Sequence, residues 1–240
     1  MPAEKLHLLQ LYTSLLGKVS TENYTREQLA TQAMRYLSGA GFSLSTIPQG
    51  DWNEFAPIIT TSWLGVMGEY DEQLSVVKEI LLNTKFDDAA PVVDLVNQQI
   101  SNIKNQITNS PLNLLVMRNL ALSSNCSNYQ NYLSGLDYYN FLTEVEKALK
   151  SNPDAVLAQL EAMHELVVNR TNIITMFSGN EDSIAQYEKA IKSLIDALPV
   201  KAIVAQDYSA LPTPAQREAI VIDTPVQYNM ISATYEDMGA

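Results

Sequence analysis

The sequence predicts an α+β protein in which a small, mainly antiparallel sheet has helices packed on it. Two observations support this fold class. From Tyr70 to about Ala197 the apolar residues recur at intervals of three and four, which is typical of amphipathic helices. Between Phe42 and Met67 the pattern changes to alternation, and Ile, Thr, Trp and Val are frequent, which indicates β-strands.

The first helix is predicted to begin between Pro2 and Glu4 and to end at Leu16, because Gly17 is a plausible C-terminal cap. Its leucines and Tyr12 supply an apolar side. Its polar residues share one stripe that we expect to face water, namely His7, Gln10, Ser14 and Lys18.

A second helix is predicted after Thr25, which with Gln28 fits a capping box, and it ends at residues 38–41. Two strands follow, at residues 42–47 and about 57–67. The turn-rich stretch 48–53 is predicted to connect them as a longish hairpin loop.

The predicted helical region has several boundaries. Pro111 interrupts or kinks one long helix, and Asn152-Pro153 is a good start for another. Residues 172–177 are predicted to form a short apolar strand. A turn at 178–180 then leads into the last helix of the region.

These patterns divide the chain into three parts. Residues 1–198 form the α+β domain. Residues 199–215 contain Pro212 and Pro214 and form a linker. Residues 216–240 are predicted to begin a following domain, with strands at 219–222 and 226–233.

Composition narrows the classes of partner. The 240 residues carry a net charge of −12, with a sequence pI of about 4.5, which disfavours binding to nucleic acid or to anionic membranes. Cys126 is the only cysteine, so an internal disulfide and a cysteine-based zinc site are excluded. Neither a signal peptide nor an apolar run long enough to span a bilayer is present. We therefore expect a cytoplasmic location.

The first helix raises the question of a metal site, because some zinc peptidases carry His-x-x-Glu-His on a helix. Here His7 is followed at +3 by Gln10 and at +4 by Leu11, and neither residue supplies the missing base or ligand. The only other histidine, His164, has Glu165 next to it, and adjacent side chains on a helix point about 100° apart. We therefore predict no metal-binding residue and no cofactor in this chain.

Other chemistry is equally poorly supported. Cys126 has no neighbouring basic residue in the sequence, and no G-x-S-x-G motif or phosphate-binding loop is present. The acidic pairs at 87–88 and 181–182 fit helix starts. Four tyrosines could line a groove, although packing in the core or at an interface is the expected role: Tyr129, Tyr132, Tyr138 and Tyr139. We name no catalytic residue, and the substrate-binding residues are unknown.

The order of segments resembles a known family. The stretch LLQLYTSLLGKVSTENYTREQLATQAMRYLSGAGFSLST is similar to the start of the third domain of presequence-protease-type metallopeptidases, relatives of insulysin and pitrilysin called inverzincins. The segments KEILLNTKFDD, YLSGLDYYNFL and NIITMFSGNE resemble later parts of that domain. The resemblance covers about residues 4–198, and 216–240 resemble the entry to a fourth domain.

The resemblance implies a non-catalytic role. Such peptidases have two homologous halves that close around a peptide, and only the first half carries the zinc motif. The second half forms the chamber wall opposite the active site and helps to hold substrate. By this resemblance the partners are an N-terminal half of the same polypeptide, which would carry the zinc, and a peptide substrate. The alternative is a stand-alone interaction or structural protein, and an upstream His-x-x-Glu-His in the reading frame would distinguish the two.

The resemblance also implies that the sheet is incomplete. Domains of this family begin with a strand before the first helix, whereas here the helix is predicted within a few residues of Met1. An unpaired sheet edge would result. We expect this edge to pair with residues 219–233 or with another molecule, including a second copy.

Overall fold

The computed structural model describes residues 1–171, 173–223 and 225–233, and within these ranges it contains nine α-helices and one two-stranded antiparallel sheet. The predicted α+β class is therefore confirmed. The helices are α1 (Leu6–Leu15), α2 (Arg26–Tyr36), α3 (Tyr70–Asn83), α4 (Ala90–Asn109), α5 (Pro111–Ala121), α6 (Asn125–Ser134), α7 (Leu136–Ser151), α8 (Pro153–Val167) and α9 (Glu181–Ala197). The strands are β1 (Ser38–Gln49) and β2 (Asp51–Leu64).

Helix α1 lies at the centre of the core and packs against α6, α8 and β1. Residues on every side of it are buried or half-buried, so the prediction that its polar stripe faces water is wrong except at Lys18. The reason is that the polar groups have partners inside the protein. Ser14, for example, accepts a hydrogen bond from Gln99 at 2.8 Å. The helix ends as predicted, where Gly17 adopts a φ of 74°.

Local sequence signals determine where α2 begins. The Thr25 side chain accepts a hydrogen bond from the Gln28 backbone N–H, and the Gln28 side chain accepts one from the Thr25 backbone N–H at 2.9 Å. This reciprocal pair is the predicted capping box. Asn152 before α8 and Asn180 before α9 cap those helices in a similar way, with side chains that accept from Ala155 and Ser183.

The hairpin is longer and tighter than predicted. The strands pair in antiparallel register, with Leu44 opposite Ile59 and Pro48 opposite Phe55. Residues 48–53 do not form a longish loop, because both strands continue almost to Gly50. This glycine has a φ of 73°, which lets the chain reverse within a very short turn.

Pro111 divides the predicted long helix into α4 and α5, because proline cannot donate the helical hydrogen bond but fits the first position of a new helix. Helix α4 packs on α7, α5 on α6, and α3 on α9. The helices thus surround α1 and one side of the hairpin, and the core runs continuously between them.

Three predicted strands are absent from the described residues. Residue 172 lies outside the described part, and residues 173–177 have irregular backbone. The same is true of 219–222 and 226–233, which also do not pair with the hairpin. The expectation that 219–233 covers a sheet edge is therefore wrong. The physical reason is that an apolar, strand-like composition produces a strand only where another strand supplies hydrogen bonds.

The predicted linker region packs against the helical body. Tyr208 and Leu211 are buried, and the Leu211 carbonyl oxygen accepts a hydrogen bond from Asn128 at 3.2 Å. Further along, Glu218 forms a two-pronged ion pair with Arg118 of α5, in which Nη2 lies 2.6 Å from Oε1. Residues 199–218 therefore follow the surface of the α+β unit. Its division from a following domain remains a prediction.

Candidate functional site

His7 lies in an aromatic pocket between α1, α6 and α7. Its Nε2 is 2.8 Å from the carbonyl oxygen of Tyr132, and its ring stacks on that of Tyr132 with centroids 4.1 Å apart. Phe141 contacts the ring from another side. Burial lowers the pKa of His7, although the Tyr132 carbonyl and Asp137 oppose this. His7 therefore packs as a mainly neutral ring instead of lying on a water-facing stripe.

His164 is buried, and both of its ring nitrogens have partners. Nε2 lies 3.3 Å from the carbonyl oxygen of Leu82, and Nδ1 lies 2.9 Å from the hydroxyl of Tyr12. A carbonyl oxygen can only accept, so this pairing assigns the proton to Nε2 and makes Nδ1 the acceptor from Tyr12. Burial, together with the charge of Glu161, raises the pKa of Tyr12, so its hydroxyl keeps its proton.

The two histidines do not form a zinc site. Nε2 of His7 and both ring nitrogens of His164 are used in internal hydrogen bonds to different parts of the fold. Within the described ranges, no group of three or more His, Cys, Asp or Glu side chains could hold a metal ion. A catalytic zinc needs three protein ligands around an open position, and the described residues do not fit that requirement.

Cys126 is fully buried at the start of α6. Its Sγ lies 3.3 Å from the hydroxyl oxygen of Thr46 on β1. The side chain of Gln130 donates to the same hydroxyl at 2.7 Å. A reactive thiolate requires solvent access and a positively charged neighbour. The Cys126 thiol is instead buried and lies against a hydroxyl group. Its role here is to join α6 to the hairpin.

Three of the four tyrosines lie in two packed clusters and the fourth packs against the core, which agrees with the expected packing role. Tyr132 and Tyr138 surround His7, and the Tyr138 hydroxyl donates to Gln99 at 2.6 Å. Tyr129 forms a second cluster with Phe55 and Tyr208, at centroid distances of 5.1 Å to each. Tyr139 is half-buried against the core. They line no common groove.

The acidic pairs lie at helix starts, as predicted. Asp88 accepts a hydrogen bond from the backbone N–H of Ala90 at 2.9 Å, and Asp87 accepts one from Ser20 at 3.0 Å. Glu181 and Asp182 occupy the first turn of α9. Their positions fit the favourable interaction of negative charge with a helix N-terminus.

The surface best suited to bind another molecule is the outer face of the hairpin. Between Ser38 and Leu64 the only charged residues are Asp51 and Glu54, near the turn, in a chain of net charge −12. Phe42, Leu44 and Phe55 pack towards the core. The opposite face carries hydroxyl and aliphatic groups from both strands: Ser43, Ser45 and Ile47 of β1, opposite Thr60, Ile58 and Ala56 of β2.

We refer to those six residues as the hairpin face. Trp52 near the turn is 58% exposed, but the register shifts between Pro48 and Gln49, so alternation does not assign Trp52 to this face. Ser43, Ser45 and Ile47 are also exposed. Sequence reasoning missed this surface, although the lack of charge from residue 38 to 50 was a visible signal.

No helix among the described residues is both long and apolar enough to cross a lipid bilayer.

Comparisons with known proteins give a family and two relatives of this chain. Residues 1–145 match the family model described as associated with peptidase family M16, subfamily C. The chain is 24% identical over 240 residues to "Protein HypA" of Clostridium perfringens, with 100% of this chain and 24% of that protein covered. It is also 24% identical over 242 residues to "Presequence protease 1, chloroplastic/mitochondrial" of Arabidopsis thaliana, with 97% of this chain and 22% of that protein covered.

These findings define an α+β chain whose two histidines are used in packing and whose relatives include a protease. The chain belongs to this peptidase-associated family, since the family model covers more than half of it. It spans about a quarter of the length of the two relatives. The resemblance to the non-catalytic part of this peptidase group is therefore confirmed.

Proposed function

We propose that this chain is a non-catalytic C-terminal-half segment of a zinc metallopeptidase. It forms the wall of the chamber opposite the active site and helps to bind the peptide substrate. The family membership supports this proposal, as does the similarity to a protein named as a presequence protease. Zinc would be held by an N-terminal catalytic half of the same polypeptide, and the location would be cytoplasmic.

The observation that carries the proposal is the uncharged hairpin face. An unfolded peptide presents backbone N–H and C=O groups and varied side chains. A wall that offers hydroxyls, Ile47 and Ile58 can contact many sequences without requiring a charge. In the described part of the chain β1 and β2 pair only with each other, so their outer edges can also accept an added strand. The same exposed backbone edges could support self-association.

The binding test compares two identical substitutions. Ser45→Glu places a negative charge on the hairpin face, whereas Ser101→Glu places one on the exposed surface of α4. We expect the first change to weaken binding of a fluorescently labelled, unstructured, apolar peptide about tenfold, because the charge must be desolvated, and the second to have little effect. Fluorescence anisotropy measures the dissociation constant. Equal effects of the two changes, or no binding by the unmodified chain, would count against a peptide-binding wall.

The non-catalytic role has a separate test. The purified chain with added zinc should not cleave the same labelled peptide, because the described residues do not fit a zinc site. Stoichiometric tight zinc binding, or cleavage that a chelator abolishes, would overturn the proposal. The reading frame discriminates further: an upstream His-x-x-Glu-His supports the peptidase, and its absence favours a stand-alone interaction protein.

A further inference from the structure

Residues 199–218 cross the helical body after α9 without forming a helix or a strand. We refer to them as the strap. Its first residues are held by Asn169, whose side chain accepts a hydrogen bond from the Lys201 N–H at 2.9 Å and donates one to the Lys201 carbonyl oxygen at 3.1 Å. Its last residue, Glu218, forms the ion pair with Arg118 of α5. The strap is therefore fastened near both of its ends.

The middle of the strap packs against the hairpin. The ring of Tyr208 is buried and contacts Phe55 of β2 and Tyr129 of α6, at centroid distances of 6.4 Å and 5.1 Å. Phe55 and Tyr129 also lie 5.1 Å apart, so each ring of this trio contacts the other two. Aromatic pairs at these distances stabilise a contact beyond the area that they bury. The trio thus joins the strap, the hairpin and α6.

The end of the hairpin near its turn, residues 46–55, is attached to α6 by this trio and by polar contacts. We refer to these residues as the hairpin tip. Phe55 packs towards the core, whereas the Thr46 hydroxyl accepts a hydrogen bond from Gln130, and Asn53 accepts one from the Asn125 N–H at 3.2 Å. Both hydrogen bonds are exposed, so water can replace them at little cost. The aromatic contact is therefore the one whose loss should free the tip.

The part of the strap between Tyr208 and Glu218 is stiff. Leu211 and Pro214 are buried in it. The rings of Pro212 and Pro214 fix their own φ angles and restrict the residues before them to extended conformations. A stiff segment transmits a displacement that a flexible one would absorb. Release of Glu218 at one end should therefore loosen Tyr208 at the other.

We propose that the strap and the hairpin tip open and close as one cooperative unit, and that the ion pair between Arg118 and Glu218 controls how often this unit opens. Proteins open locally in such units at a lower free energy than global unfolding requires. The ion pair has this influence because the Arg118 side chain is only 10% exposed, so its charge needs a partner inside the protein. Any interaction that draws Glu218 away would release the tip from α6.

This inference concerns contacts between described residues of one chain. It does not depend on whether the hairpin face binds a peptide, nor on what else covers the surface of the strap.

Hydrogen–deuterium exchange of the folded chain, followed by mass spectrometry, tests the coupling. Glu218→Gln should speed exchange in both the strap and the hairpin tip about tenfold, because the unit opens more often. Amides of α7 and α8, which pack on each other, report any change in global stability and should be affected less. Glu146→Gln is the matched control. It removes an exposed ion pair with Lys150 and should leave the tip unchanged.

A double-mutant cycle then shows whether the effect passes through the aromatic trio. In a Tyr208→Ala background, Glu218→Gln should no longer speed exchange in the tip, because the contact that links the two is already lost. Tyr208→Phe is the comparison. It keeps the ring and loses the hydrogen bond to Met1, so Glu218→Gln should still affect the tip in that background.

Three results would overturn the proposal. One is exchange in the tip that stays unchanged in Glu218→Gln, whether or not the strap exchanges faster. Another is an increase in the tip no larger than that in α7 and α8. The third is an effect of Glu218→Gln on the tip that is as large with Tyr208→Ala as without it. The first two need only the Glu218 variant, so they remain decisive if Tyr208→Ala does not fold. The peptide-binding test of the hairpin face is unaffected by any of these outcomes.

Discussion

The hydroxyl of Tyr208 donates a hydrogen bond to the carbonyl oxygen of Met1 at 2.6 Å, across 207 positions of the sequence. The contact brings the segment after α9 beside the first residues of the chain. Together with the ion pair between Arg118 and Glu218, it holds a segment without helices or strands against the helical body.

The ion pair is predicted to control how firmly this segment is held. Glu218→Gln removes the charge that faces the buried guanidinium of Arg118, whose Nη1 already has no hydrogen-bond partner in the described structure. We expect the free energy of unfolding to fall by about 1–3 kcal/mol and trypsin to cleave faster at Lys201 and Arg217. Urea unfolding and timed proteolysis measure these effects.

The control for this prediction is Glu146→Gln. Its partner is Lys150, which is well exposed, so the change should have little effect on the free energy of unfolding. Equal losses in the two variants would show that burial of Arg118 is unimportant.

The hydrogen bond between Tyr12 and His164 is predicted to stabilise the fold, because its loss leaves a buried histidine nitrogen without a partner. Tyr12→Phe leaves the buried Nδ1 of His164 without a donor, so the free energy of unfolding should fall by about 1–3 kcal/mol. Tyr139→Phe is the comparison, because the Tyr139 hydroxyl has no hydrogen bond among the described residues. Chemical denaturation of both variants gives the difference. A loss in Tyr139→Phe as large as in Tyr12→Phe would contradict the assignment.

Alkaline pH is predicted to destabilise the protein. Burial raises the pKa of Tyr12, Tyr129 and Tyr138. Above the ordinary tyrosine pKa of about 10 the unfolded chain therefore binds fewer protons than the folded one, and stability falls as pH rises. Each tyrosine adds up to about 1.4 kcal/mol per pH unit. Urea midpoints across this range should fall less steeply in Tyr138→Phe, and an unchanged slope would refute the prediction.

His7 is predicted to reduce the stability of the protein at acidic pH. Burial lowers its pKa, so below about pH 6.5 the unfolded chain binds more protons and stability falls with decreasing pH. His7→Gln should remove the part of this loss between about pH 7 and pH 5. Glu79 acts only at lower pH. Burial opposes its ionisation, but hydrogen bonds from Thr21, Asn23 and Asn83 lower its pKa. Thermal melting of both proteins checks the prediction, which fails if their curves are parallel.

Gly50 is predicted to be essential for the hairpin turn. A Cβ at this position meets no atom within 4 Å, so Gly50→Ala tests only the cost of a φ of 73°, which is about 1 kcal/mol. Gly41→Ala in β1 is the matched control. It has no positive φ and only an ordinary contact, at 3.7 Å, with Ser62. Urea midpoints should fall for the first variant and stay the same or rise for the second.

Much of the fold was predictable because short-range chemistry determines it. Thr25 with Gln28, Asn152 with Pro153, and Pro111 each act within a few residues, so the ends of their helices could be inferred from local sequence. The candidate surface was less accessible. Its uncharged composition is visible in the sequence, but which side chains face outward depends on the register of β1 with β2.

Apart from the length of the hairpin loop, the incorrect predictions share one cause, which is that they depended on distant partners. His7 and Ser14 were expected to face water because polar residues usually do. Their partners, Tyr132 and Gln99, are far away in the sequence. Residues 173–177 have the apolar composition of a strand, but no strand in the described part of the chain lies beside them to pair with.

The central position of α1 has a consequence for synthesis on the ribosome. This helix precedes the other described helices in the sequence and leaves the ribosome before them, yet Tyr12 bonds to His164, 152 positions later. Until α8 has been synthesised, the leucines of α1 remain exposed or only loosely covered. Such long-range closure slows folding, so this part of the nascent chain should need protection by a chaperone between the synthesis of α1 and that of α8.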